Sequence, residues 1–185
     1  NANEEIGVDV KKFGNIEAMP GDTIRYDFSD IRNESNVPLD NFYWRDILPT
    51  DAVTLRIIST GTWNEELKYT IYYKTNLVSE ERALAERLST STNNTIDCSA
   101  SAVKLKAGEV ITEIRFDFGT VQPGFEPLTN PYITCLVHPD LPHEYRFKNC
   151  TDVGGERGDE WVIDKDCWVT VIYAVPKGKL PKTGN

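Results

Sequence analysis

Apolar and polar residues alternate with a period of two along much of this chain. In 23–28, Ile24, Tyr26 and Phe28 fall on one face and Thr23, Arg25 and Asp27 on the other. That is the pattern of a strand with one face on a core and one in water. The stretch 67–74 repeats it with Leu67, Tyr69, Ile71 and Tyr73, and 110–118 with Ile114, Phe116 and Phe118 against Arg115 and Asp117. Further strands are predicted over 6–13, 41–48, 52–60, 132–137, 145–153, 161–163 and 167–175. Between them lie turn and loop signals: Met19-Pro20-Gly21-Asp22, the polar stretch 33–40, Gly61-Thr62-Trp63-Asn64, 89–94, the Pro- and Gly-rich 122–131, and a hairpin turn over 154–159. One stretch breaks the period. Ser79 followed by Glu80, Glu81 and an Ala/Leu-rich run reads as a capped helical turn, with a strand over 83–88 behind it. About ten short strands with turns between them predict an all-β, antiparallel β-sandwich over 1–175 with one short helical turn.

Composition supports a packed domain. Of 185 residues, 39% are hydrophobic, with 4 Trp, 8 Tyr and 7 Phe, enough to build a core and too apolar for a disordered stalk. The net charge of −9 and a pI of about 4.8 leave no basic stripe to displace counterions from phosphates, which excludes nucleic acid as a partner class. No stretch of the chain is long and apolar enough to span a membrane, and none has the form of a secretion leader.

The chain closes on Leu180-Pro181-Lys182-Thr183-Gly184-Asn185, after a short linker. Leu180 to Gly184 has the form Leu-Pro-any-Thr-Gly and resembles the sorting signal by which sortases attach Gram-positive surface proteins to the cell wall. Pro181 fixes its own φ and pushes Leu180 towards extended geometry, and Gly184 lets an enzyme approach the backbone. The resemblance implies that a sortase thiolate attacks the Thr183 carbonyl, releases Gly184 onward, and passes the acyl group to a peptidoglycan amine. The chain is then a substrate, extracellular and wall-anchored, with 176–185 serving as linker and motif. In that family an apolar span and basic tail follow the motif, so the natural protein is expected to extend at both ends.

A second resemblance lies nearer the start. Pro20-Gly21-Asp22-Thr23-Ile24-Arg25-Tyr26, Asn36-Val37-Pro38-Leu39-Asp40-Asn41 and Asp46-Ile47-Leu48-Pro49 are similar to the DUF11 repeat module of bacterial surface proteins. Asn149–Val153 and Cys167–Val171 resemble that module's last two strands, while 50–140 matches less clearly. The resemblance implies an immunoglobulin-like sandwich that serves as a spacer or adhesin part, with no catalytic residues and no cofactor.

Four cysteines, Cys98, Cys135, Cys150 and Cys167, lack the close spacing of a structural zinc site and allow three disulfide pairings. Placing Cys150 and Cys167 on the module's closing strands favours that bridge and leaves Cys98 with Cys135; four buried free thiols are the alternative. His138 and His143 share a loop with Asp140 and Glu144, which reads as a Pro-stiffened surface loop rather than a metal site. Gram-positive surface sandwiches often carry an internal isopeptide bond between a first-strand Lys and a later Asn or Asp, assisted by a buried acid. Lys11 and Lys12 end the first strand, alternation turns one of them inward, and Asn149 is the partner this suggests; two solvated lysines are the alternative.

Two functions follow. The first is a non-enzymatic, wall-anchored module, the spacer or base unit of a larger adhesin or pilus-like protein. The second is an adhesin domain that binds a host glycan or protein through exposed aromatics among Phe42, Tyr43, Trp44, Trp63 and Trp161. A surface hydrolase ranks third and needs a carboxylate pair in a cleft.

Overall fold

This computed structural model of the chain describes residues 3–175. Fourteen strands lie within them: β1 (Val8–Phe13), β2 (Glu17–Ala18), β3 (Thr23–Asn33), β4 (Leu39–Ile47), β5 (Val53–Ser59), β6 (Thr62–Trp63) and β7 (Lys68–Thr75), then β8 (Arg82–Ser89), β9 (Thr95–Asp97), β10 (Ile111–Val121), β11 (Pro127–Thr129), β12 (Tyr132–Val137), β13 (Arg146–Arg157) and β14 (Glu160–Ile172). They form a five-stranded sheet in the order β1-β3-β12-β5-β9, a seven-stranded sheet in the order β2-β14-β13-β4-β10-β7-β8, and the small pair β11-β6. Every pairing is antiparallel except that of β14 with β2. The chain is the all-β sandwich that its alternation predicts.

The period-two residues meet between the sheets. Ile24, Tyr26 and Phe28 of β3, Phe42 and Trp44 of β4, Tyr69, Ile71 and Tyr73 of β7, and Ile114, Phe116 and Phe118 of β10 are all buried. Phe28 and Trp44, one from each large sheet, have ring centroids 4.6 Å apart, and Trp44 lies 4.5 Å from Phe116. Aromatic pairs at such distances add to the area they bury.

Two local expectations are corrected. The stretch 79–88 holds no helical turn: β8 pairs with β7 from Lys68↔Ser89 to Tyr73↔Arg82 and packs Leu84 and Leu88 on the core. Pairing and burial override the helical composition there. The short helix is instead α1 (Ala100–Val103), where the Ser99 side chain caps by accepting from the Ala102 N–H at 3.3 Å and Lys104 ends the turn at φ 64°. The hairpin turn predicted over 154–159 shrinks to Gly158-Asp159, because β13 runs on through Gly154 and Gly155 to Arg157.

Candidate functional site

The polar cluster at the centre of the sandwich grows from three inward-facing strand positions. Alternation along β1 buries Val10 and Lys12 and exposes Lys11, which meets Asp30 at 3.5 Å in solvent. Along β4 the inward positions are Phe42, Trp44 and Asp46, so a carboxylate stands where a third core residue is expected. Along β13 they include Phe147, Asn149 and Thr151. β1 belongs to the five-stranded sheet, while β4 and β13 are neighbours in the seven-stranded one. Lys12 therefore reaches across the sandwich.

The three side chains form one chain of contacts. Lys12 Nζ donates to Asp46 Oδ1 at 2.9 Å, and Asn149 Nδ2 donates to Asp46 Oδ2 at 2.9 Å. Both partners of the ion pair have fully buried side chains. The rings of Tyr26 and Phe28 sit 4.2 Å from Lys12 Nζ and wall it off from water. Asn149 Oδ1 is buried with no hydrogen-bond partner among the described residues. Around the cluster, Trp44 Nε1 donates to Thr151 Oγ1 at 2.7 Å, and Thr151 Oγ1 donates to the Arg45 carbonyl at 2.6 Å, which locks β4 against β13.

Burial shifts both ionisable partners towards their uncharged forms. It pushes the Lys12 amine below its ordinary range, opposed by the Asp46 charge and hydrogen bond. It pushes the Asp46 carboxyl above its ordinary range, opposed by Lys12 and by the Asn149 hydrogen bond. Both shifts favour the neutral amine and the protonated acid, because water no longer solvates either charge. An uncharged amine is a nucleophile. On the other oxygen of Asp46 sits a carboxamide whose nitrogen already touches the acid that can protonate it.

Sequence reasoning names Lys12 and Asn149 and misses Asp46 as their bridge. The missing signal is the parity of 42–46: with Phe42 and Trp44 inward, Asp46 must also be inward. Of the predicted pair Lys11 and Lys12, only Lys12 enters the site.

The other candidates sort by the same geometry. Cys150 and Cys167 form a disulfide across directly opposed positions of β13 and β14. The pairing of Cys98 with Cys135 is corrected: both are buried free thiols. Cys135 lies on β12 and Cys98 follows β9, with β5 between those strands. Two strand spacings, about 10 Å, exceed a disulfide's reach. Burial pushes the Cys98 thiol up to about 12 and raises Cys135 as well. His138 Nε2 lies 3.2 Å from Thr54 Oγ1, and His143 Nδ1 accepts from the Ala174 N–H at 3.2 Å, so the two imidazoles serve different partners. The aromatic platform is corrected too. Phe42, Trp44 and Trp63 are core residues, and of the five rings only Trp161 is exposed, 6.4 Å from half-buried Tyr43. The sorting motif, Leu180 to Gly184, lies outside the described residues.

No protein-family profile matches the chain, and no curated protein matches it in sequence. Among solved structures it is similar to the collagen-binding subdomain of the Enterococcus faecalis surface protein ACE, at 11% identity and a TM-score of 0.37 over 89% of this chain and 95% of that one. It is also similar to the collagen-binding domain of a Staphylococcus aureus adhesin, at 11% identity and 0.38 over 89% and 98%. A third similar structure is AvmM, which catalyses macrocyclization in alchivemycin A biosynthesis, at 7% identity and 0.35 over 92% and 91%.

Proposed function

We propose that this chain is a non-enzymatic surface module that braces itself with an internal amide between Lys12 and Asn149, and that a sortase couples to peptidoglycan through Thr183. The observation that carries the reading is the buried contact chain Lys12–Asp46–Asn149. In the reaction, the uncharged Lys12 Nζ attacks Asn149 Cγ. The protonated Asp46 delivers a proton to Nδ2 through Oδ2 and takes one from Nζ through Oδ1. The Nζ–Cγ bond forms, the Cγ–Nδ2 bond breaks, ammonia leaves, and Asp46 ends as it began. A single carboxyl touching both nucleophile and leaving group can do this without moving.

The product is physically favoured in this setting. It replaces a buried ionisable amine by an amide, and an ionisable group is costly away from water. It also closes a covalent link between the two large sheets. The chemistry occurs once per molecule and has no external substrate, in keeping with a structural part. Anchoring rests on Leu180-Pro181-Lys182-Thr183-Gly184, and with it the extracellular, wall-attached location. The alternative of a host-ligand domain acting through an aromatic surface loses three of its five rings to the core.

Intact mass after full reduction tests the amide. The wild-type chain should be lighter than its sequence by one ammonia, and a tryptic digest should contain a branched peptide joining Lys12 to Asn149. Lys12→Ala and Asp46→Ala should each keep the full mass. A wild-type mass equal to the sequence would sink the reading; loss of ammonia in Asp46→Ala would remove the carboxyl from its role.

A further inference from the structure

Asn149, the proposed acceptor, is followed directly by Cys150, which is bonded to Cys167 on the last strand. From that adjacency we infer a mechanical function: the protein carries tension between its two ends along a continuous covalent strap that bypasses nearly the whole fold. The inference rests on the Lys12–Asn149 amide proposed above. With that bond made, the path from the first strand to the last runs through the Lys12 side chain to Asn149, across one peptide bond to Cys150, and through the disulfide to Cys167. Residues 13–148 and 151–166 lie off this path. Force applied at the ends reaches them only through non-covalent contacts.

The placement of the terminal strands fits such a role. Residues 10–18 run alongside 164–172 in the same direction. The Val10 N–H donates to Asp164 Oδ2 at 3.1 Å and the Lys12 N–H to Asp166 Oδ2 at 2.8 Å. Further on, the Asn15 carbonyl accepts from Trp168 Nε1 at 2.9 Å and from Thr170 Oγ1 at 2.7 Å, and Glu17 and Ala18 pair in parallel with Val171 and Ile172. Because the two terminal segments are parallel, pulling on the ends slides them past each other. All of their hydrogen bonds then resist together instead of opening one at a time. The covalent strap lies within this sheared region, at Lys12 on one side and Cys167 on the other.

The two links act in series, so each has its own signature. If the disulfide alone is opened, the hairpin between Cys150 and Cys167, 17 residues apart in sequence, is released and the chain lengthens by about 55 Å at ~3.5 Å per residue. If the amide alone is absent, the segment between Lys12 and Asn149 is released, a lengthening of about 470 Å on the same scale.

Single-molecule pulling between the ends of the whole chain, on protein whose amide state is known by mass, tests this. Oxidised wild-type protein carrying the amide should show no unfolding step. The same protein in a thiol reductant should show only the short step, and Lys12→Ala under oxidising conditions only the long one. A long step from amide-bearing, oxidised protein would overturn the strap, and an unchanged trace in reductant would remove the disulfide from it. A full-length mass before any pulling would instead sink the amide itself and, with it, this inference. Cys150→Ser/Cys167→Ser should reproduce the reductant trace in a chain that never formed the bridge.

Discussion

Two buried carboxylates in this fold are driven in opposite directions by their neighbours. Asp46 is fully buried against Lys12 and Asn149, and burial raises it in spite of both. Glu109 is also buried, but its carboxylate accepts from the Lys106 backbone N–H and from the Thr75 hydroxyl and pairs with Arg82, which together hold its pKa down to about 2. A carboxylate with a folded pKa below its ordinary 4.5 stabilises the fold above that range, and the contribution is lost as pH falls through the folded value. Melting temperature should therefore decline on acidification from about 4.5 towards 2, and Glu109→Gln should flatten that part of the profile. Equal slopes in the two proteins would show that Glu109 is not the group responsible. Neither carboxylate can be singled out from composition, since both are ordinary members of an acidic chain with 29 Asp and Glu. Lys12 is legible only as half of a pair, since alternation turns either Lys11 or Lys12 inward and a buried amine needs a partner, and Asn149 is suggested only by its place beside the closing strands.

The hairpin of β13 and β14 shows where local pattern misleads at the scale of an element. Gly154-Gly155 has the composition of a turn, yet both residues lie inside β13, with Gly154 opposite Tyr43 of β4 and Ile163 of β14. The reason is a close approach. A Cβ on Gly154 would stand 2.6 Å from the Tyr43 ring, which crosses the strand there, points its hydroxyl at Asp152 Oδ2 (2.7 Å) and faces Trp161. Glycine is required by what passes over it rather than by its own dihedrals. Gly154→Ala should push the Tyr43 ring aside and cost about 1 to 3 kcal/mol, the usual range for forced overpacking, read as a lower denaturant midpoint. No loss of stability would mean that the ring can move freely. Strand periods were readable in 23–28, 67–74 and 110–118 because each buries one face. The strand over 83–88 is found as part of β8, whereas the helical turn placed ahead of it failed because an edge strand is made by its neighbour's backbone, which composition does not encode.

For the whole molecule, the proposed amide joins the edge strand β1 of one sheet to β13, an interior strand of the other, and the proposed sorting motif follows the last strand. A sortase acting on the intact chain should yield a product ending at Thr183, and Pro181→Ala should abolish cleavage by removing the bend that presents the carbonyl. Survival of the wild-type chain beside a control peptide that is cut would end the anchoring proposal. What the sequence by itself determined is local: strand periods, the inward or outward parity of each residue, an acidic composition, and the five residues on which the anchoring proposal rests. Tertiary structure decided everything that depends on strand order. It set β5 between Cys98 and Cys135 and so kept them apart, brought Cys150 opposite Cys167, and sank Phe42, Trp44 and Trp63 into the core. It also carried Asp46 between Lys12 and Asn149, residues 34 and 103 positions away. Parity is a property of one strand, whereas contact across a sandwich depends on which strands are neighbours and in what register. That choice is made by the packing of the whole core.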